Sequence, residues 1–562
     1  MVNLKAAPFY LQDEDIQWVE QTKKQMTLDE KIGQLFCPIG YSSEPDYLDH
    51  FILAHHIGGI LYRCGEASEM QQTHRYLQEH SRIPLLIAAN LEAGGNGIAE
   101  NGTYFGKQMQ IAATDNDEQA YRLGKISCSE GGAVGCNWAF APVVDIDYNW
   151  RNPITNVRTY GNDPERVLRM AKEFKRGADE EQMAVAVKHF PGDGMDEVDQ
   201  HILTSVNSMS RKEWDATYGK IYQGMIDDGS LSIMVGHIAL PDYQEFYSGK
   251  KEERLIPATL SKELLQNLLR EKLGFNGLIC TDATPMVGFC CAMKRELAVP
   301  TAIASGCDMF LFNKDLHEDY EFMKAGYEKG IITDERLEEA LDRILGMKAA
   351  LGLHKKREAG TLVPPQEALE ILQCREHIAM AQECADEAIT LVKDTQQLLP
   401  ISPERHKRVL LEILGDFPSN EHVLTYFKEK LEAEGFAVTV YEKENFETFK
   451  PDTRTFNASY DLVVYLGNVE NASNKTTNRI NWYTFWGNGN NVPWFVEEKP
   501  VMFISLANPY HLVDVPMIKT YINGYSNSDY VLDQTIEKIM GRSPFKGVNP
   551  IDPFCGKEYL TY

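Results

Sequence analysis

The segment Val187-Lys188-His189-Phe190-Pro191-Gly192-Asp193-Gly194-Met195-Asp196-Glu197-Val198-Asp199-Gln200-His201 decides the reading of this chain. The apolar run Met-Ala-Val-Ala-Val at 183–187 enters it as a buried strand. The chain then turns at Pro191 and Gly192, and a polar loop ends in Asp199-Gln200-His201. A strand end thus delivers Lys188 and His189, and the following loop delivers an Asp-x-His pair. Strand C-termini and the loops after them are where α/β barrels keep their chemistry. A carboxylate two residues from an imidazole orients the ring and makes it a proton donor usable near neutral pH.

Working outward, short apolar runs alternate with amphipathic stretches as far as about residue 350, the pattern of βα units. Candidate strands lie at 59–62, 85–88, 138–140, 184–187, 232–235, 277–280 and 309–312. A clear helix covers 261–273, with Ser261 as N-cap and Leu264, Leu265, Leu268 and Leu269 on one face. Seven or eight such strands predict an α/β fold whose N-terminal part, 1–355, is a TIM-type (β/α)8 barrel. The stretch 352–366 carries a basic run, Gly360 and Pro364-Pro365, and reads as a linker followed by a helix, which sets a connecting segment at 356–385. A second α/β pattern, with apolar runs at 409–414, 437–441, 462–466 and 501–506, predicts a smaller α/β sandwich domain over 386–562. The Asn- and Gly-rich stretch 468–491 reads as a long loop. Trp482, Trp486 and Trp494 in or beside it pack in the core or form a sugar-stacking platform.

Composition narrows the function classes. The chain has 562 residues, long enough for two cores, with 43% hydrophobic and 25% charged residues, as in soluble globular proteins. A net charge of −26 argues against nucleic acid or anionic membranes as partners. No apolar run approaches the ~20 residues of a transmembrane helix. The N-terminal residues lack the apolar core of a signal peptide, which predicts a cytoplasmic protein. The 11 cysteines are odd in number and lack ligand spacing, which predicts reduced thiols and no metal site. No cofactor is expected.

A second chemical element stands at Gly277-Leu278-Ile279-Cys280-Thr281-Asp282, a strand running straight into a carboxylate. Alone, Asp282 would serve equally as a cap for the next helix. Together with the Lys-His-Phe-Pro-Gly segment it resembles glycoside hydrolase family 3, in the β-N-acetylglucosaminidase branch. The resemblance runs from Asp29-Glu30-Lys31-Ile32-Gly33-Gln34-Leu35 to Ala304-Ser305-Gly306-Cys307-Asp308-Met309, and covers the second domain in outline.

The resemblance implies a retaining, exo-acting β-N-acetylglucosaminidase acting on a small carbohydrate. Asp282 would be the nucleophile, with His201 and Asp199 as the acid/base dyad. Lys188 and His189 would hold sugar hydroxyls, as would Arg158 in Arg158-Thr159-Tyr160-Gly161. At Asn90-Leu91-Glu92-Ala93-Gly94-Gly95 Asn90 stands where relatives carry aspartate, and Glu92 is kept; both are expected at the sugar. His237, at another strand end, is expected near the pocket in a binding or structural role. Many relatives carry histidine at the position of Asp193. Three alternatives accompany this reading: a β-glucosidase or β-xylosidase with its acid from the second domain, a β-N-acetylglucosaminide phosphorylase, and a noncatalytic sugar-binding protein.

Overall fold

The structure is a computed structural model and describes residues 2–443, 451–485, 488–489 and 491–562. The chain divides into two compact units. The first comprises Met1–Phe105, Ala120–Asn149 and Pro164–Ile378, and the second Gly106–Gln119, Trp150–Asp163 and Ala379–Tyr562. The division therefore does not fall at one point in the sequence. Two segments from within the first 355 residues belong to the second unit, where Met109, Ala113 and Val157 share a core with Ala388, Tyr510, Tyr525 and Ile551.

The first unit is a closed barrel of parallel strands. These are β1 (Phe36–Cys37), β2 (Ile39–Gly40), β3 (Gly59–Tyr62), β4 (Leu86–Ala89), β5 (Trp138–Ala139), β6 (Ala184–Phe190), β7 (Ser232–Val235), β8 (Leu278–Thr281) and β9 (Phe310–Leu311). Seven of them form one sheet in the order β8-β7-β6-β5-β4-β3-β2. The ring closes where Phe36 pairs with Phe310 and Cys280 with Met309. The segment with β1 and β2 is the one barrel strand that the apolar pattern does not predict. Pro38 interrupts it, because proline lacks the N–H that a ladder needs. β1 therefore pairs with β9, and β2 with β3.

Side chains that face the barrel interior and the helices are both buried, so β6 is buried at all seven positions. Helices such as Pro164–Glu180, Arg295–Ser305 and Asp334–Ala350 lie between or after the strands. Ser261 caps its helix as expected, its Oγ accepting the Leu264 N–H at 3.3 Å. The linker prolines are held against the helix Ala67–His80, where Gln71 Nε2 donates to the Pro365 carbonyl at 3.2 Å.

The second unit holds a six-stranded sheet. Its strands are β10 (Thr390–Asp394), β11 (Arg408–Leu414), β12 (Ala437–Val440), β13 (Leu462–Gly467), β14 (Val501–Ser505) and β15 (Thr520–Asn523), in the order β10-β15-β14-β13-β11-β12. All pairs are parallel except β10 with β15. Both faces are covered: Val464, Leu466, Met502 and Ile504 enter one core, and Val463, Tyr465, Val501 and Phe503 the other. That two-sided burial makes the central strands β13 and β14 continuous apolar runs in the sequence. Trp482 packs against the second of these cores, Trp494 lies beside Phe456 with ring centroids 5.2 Å apart, and Trp486 lies outside the described residues. Among the described residues no helix is long and apolar enough to cross a membrane.

Candidate active site

Parallel pairing puts the C-terminal ends of the barrel strands on one side, and the candidate residues emerge there. Asp282 follows β8 directly and is fixed by its own backbone, whose N–H donates to the Val235 carbonyl at 2.8 Å. Its Oδ1 accepts the Ala283 N–H at 2.7 Å. The side chain is 14% exposed. Burial pushes this carboxyl up, but the imidazoles beside it, His189 foremost, and the Ala283 N–H together outweigh it, and the group is held below its ordinary value. Asp282 is therefore ionised at neutral pH, as a nucleophile must be.

His189, on β6, lies beside it. Its Nε2 is 3.8 Å from Asp282 Oδ2, and its Nδ1 is 2.7 Å from Asp145 Oδ2. A carboxylate only accepts, so Nδ1 carries the hydrogen and the ring is held with Nε2 toward Asp282. Asp145 also accepts the backbone N–H of His189 at 3.2 Å and of Asp193 at 2.8 Å. One buried carboxylate thus sets both the His189 ring and the start of the following loop. Lys188, 3% exposed, places its Nζ 2.5 Å from Glu92 Oε1. The loop after Glu92 is backed by buried Glu130, whose Oε2 accepts the Thr103 N–H at 2.7 Å.

The loop continues through Asp193, which is buried and binds the Gly194 N–H at 2.7 Å and Ser205 Oγ at 3.4 Å. Gly194 is required: its φ is +102°, and a Cβ there would come 1.9 Å from the Ile146 carbonyl oxygen. The loop ends at the dyad. His201 Nδ1 lies 2.7 Å from Asp199 Oδ1, and the same oxygen accepts the His201 backbone N–H at 2.9 Å. Asp199 is fully buried, whereas the His201 side chain is 25% exposed. Nδ1 is committed to Asp199, which leaves Nε2 to carry and release a proton.

These elements form a two-carboxylate site on a parallel barrel, one carboxylate ionised and the other committed to an imidazole. A family model described as the glycosyl hydrolase family 3 N terminal domain matches residues 27–347.

The chain belongs to glycoside hydrolase family 3.

A protein of Cellulomonas fimi named beta-N-acetylglucosaminidase/beta-glucosidase is 44% identical over 565 residues, 99% of each chain. The solved structure of the beta-glucoside phosphorylase BglX superposes with a TM-score of 0.93 at 45% identity, over 99% of both chains. A family 3 beta-N-acetylglucosaminidase from Paenibacillus sp. str. FPU-7 shares the fold, with a TM-score of 0.79 at 23% identity over 94% of this chain and 99% of that one.

Within the family 3 frame, the structure brings Asp282, His189, Lys188, Glu92, His201 and Asp199 to one end of the barrel. Asn90 follows β4 and is exposed at the same end. Arg158 ends the turn Asn156–Arg158 in a segment of the second unit and is half-buried. His237 is fully buried, and both ring nitrogens are occupied. Nε2 donates to the Ala283 carbonyl at 2.9 Å, so Nδ1, at 3.0 Å, accepts the Thr259 hydroxyl. Burial keeps this ring below its ordinary pKa and hence neutral. No ring nitrogen is left for a sugar hydroxyl, so of the two expected roles the geometry supports the structural one. Two residues escaped the sequence reading: Asp145, and Gln200 within the dyad itself. Asp145 had a readable signal, a carboxylate just beyond the apolar run of β5. Gln200 had none.

Proposed function

We propose that this family 3 enzyme is a retaining, exo-acting β-N-acetylglucosaminidase. The observation that carries the reading is the ionised Asp282 at the end of β8 together with the 2.7 Å Asp199–His201 pair on the neighbouring loop. In the first step the Asp282 carboxylate attacks the anomeric carbon, the glycosidic C–O bond breaks, and His201 Nε2 gives its proton to the departing oxygen. In the second, His201 takes a proton from water, which attacks the same carbon and expels the Asp282 carboxylate. Asp199 holds the Nδ1–H through both steps. Lys188, His189, Asn90 and Glu92 of the barrel are read as the polar lining for the sugar. The 44%-identical relative, named for both activities, supports including β-glucosides among the substrates. All 11 cysteines are free thiols, which suits a reducing compartment such as the cytoplasm.

A second reading has its own support: phosphate in place of water as the acceptor. The chain is 45% identical to a structure named as a β-glucoside phosphorylase. A histidine acid/base also leaves no new anion beside the incoming acceptor, whereas a glutamate would. One experiment separates the two. Aryl β-N-acetylglucosaminide and β-glucoside are turned over with and without inorganic phosphate, and the products are resolved. Free sugar at an unchanged rate supports hydrolysis, and glycosyl phosphate with a phosphate-dependent rate supports phosphorolysis. Turnover surviving in Asp282→Ala overturns both.

A further inference from the structure

The loop that carries the acid/base is bonded to the end of β7 and to the segment after β8, and Gln200 and His237 stand at the centre of those bonds. Gln200, between Asp199 and His201, is 2% exposed. Its Oε1 accepts the backbone N–H of His237 at 2.7 Å. Its carbonyl accepts the Gly288 N–H at 3.2 Å, and the carbonyl of His201 accepts the Val287 N–H at 3.1 Å. His237 in turn donates Nε2–H to the Ala283 carbonyl, and Ala283 donates its own N–H to Asp282 Oδ1 at 2.7 Å. A continuous bonded path therefore runs from His201 through Gln200, His237 and Ala283 to Asp282.

The path admits no extra atoms. A Cβ at position 236 would stand 2.9 Å from Gln200 Oε1. A Cβ at position 288 would stand 2.5 Å from the Gln200 carbonyl oxygen and 3.1 Å from His237 Cβ. Glycine at both positions is what lets the loop approach the strand ends this closely. The His237 ring uses both nitrogens in the path or in its support by Thr259, so its side chain transmits position.

We propose that Gln200 and His237 form a clasp that registers His201 against Asp282, with Gln200 as a positioning residue for the acid/base. The proposal rests on the roles given to His201 and Asp282 above. Double displacement needs two groups at fixed separation: one at the anomeric carbon, the other at the glycosidic oxygen. A misplacement of about 1 Å costs on the order of 10²-fold in rate. Proton donation is worth about 10²–10⁴-fold, and only where the leaving group needs a proton. A loosened clasp therefore has a signature that general damage to the fold lacks: it slows substrates with poor leaving groups and spares those with good ones.

The test compares kcat/KM, which reports the glycosylation step, for phenyl and 2,4-dinitrophenyl β-N-acetylglucosaminides. Gln200→Ala is expected to lose about 10²-fold on the phenyl substrate and less than about 3-fold on the dinitrophenyl substrate. Gln200→Glu keeps an acceptor oxygen at the same reach and is expected to recover at least about 10-fold of the loss. Gly288→Ala attacks the clasp from the short helix Val287–Cys290 that follows β8 and should show the same selectivity; it carries the test if Gln200→Ala does not fold. Equal losses on both substrates, or no loss on the phenyl substrate, overturn the clasp. His201→Ala, run alongside, separates the two levels. If it shows no leaving-group selectivity, the acid/base reading has failed; if it does and the clasp variants do not, only the clasp has failed.

Discussion

His189 Nε2 lies 3.8 Å from Asp282 Oδ2, and the imidazole is held in that attitude by a 2.7 Å bond from its other nitrogen to Asp145. After burial, which raises the Asp282 carboxyl, the His189 charge is the largest influence on it and the largest that lowers it. The sign follows directly. A nucleophile held below its ordinary value stays ionised as pH falls, so the acidic limb of kcat/KM sits low. In His189→Asn that lowering is lost, the Asp282 carboxyl rises, and the acidic limb moves to higher pH. A pH profile of this variant with an unmoved acidic limb, on a substrate it still turns over, would contradict the assignment.

In the proposed mechanism, removal of the His201 ring leaves the glycosyl-enzyme without a base to activate water. His201→Ala is therefore expected to form this intermediate from a dinitrophenyl substrate and to resolve it slowly. Azide needs no deprotonation and should speed turnover, giving a glycosyl azide of β configuration, because two inversions at one carbon restore the starting stereochemistry. An α-azide by nuclear magnetic resonance, or no gain in rate, would sink both the role of His201 and the double displacement.

At the opposite end of β8, Asp308 is fully buried among three guanidinium groups. It accepts from Arg270 at 2.7 Å, from Arg336 and from Arg343, and also takes the Ile279 N–H at 2.9 Å. Arg270 from the helix Glu263–Lys272, Arg336 and Arg343 from the helix Asp334–Ala350, and the Ile279 N–H of β8 thus meet at one carboxylate. Removing one member of a buried ionic group leaves uncompensated charge and costs about 3–5 kcal/mol. Asp308→Asn should lower the barrel's unfolding transition by that amount in urea titration. A loss under about 1 kcal/mol would show that the cluster is solvated or redundant.

His74 is fully buried, donates Nδ1–H to the Val134 carbonyl at 2.9 Å, and finds no partner for Nε2 among the described residues. Burial pushes it down to about 4, only partly countered by that hydrogen bond. In the unfolded chain it titrates near its ordinary value of about 6.5. The unfolded state therefore binds the proton first as pH falls. The stability due to the neutral ring is complete above about pH 6.5 and is lost progressively toward pH 4, on the order of 3 kcal/mol in all. His74→Leu should flatten the dependence of stability on pH over this window. Parallel curves for wild type and variant would rule the contribution out.

The barrel was legible because most of its strands, buried on both faces, stand out as apolar runs separated by amphipathic helices. β1 and β2 were not, because Pro38 breaks the run. Asp282 and the Asp199–His201 pair stood out because each is a local pattern, a strand running into a carboxylate and a carboxylate two residues from an imidazole. His237 was visible at its strand end, but its role was not, since that depends on which atoms occupy its two ring nitrogens.

Sequence alone determined the fold class and the family, and it named the groups proposed to react. Tertiary structure decided how those groups are held. Asp145 meets His189 from 44 residues away, and Gln200 meets His237 from 37. The segments Gly106–Gln119 and Trp150–Asp163 join the core of the second unit rather than that of the barrel whose sequence surrounds them. Periodicity and motif spacing report what a residue does to its neighbours along the chain. Contacts such as these are set by barrel closure and by which apolar faces remain to be covered, and no local pattern encodes either.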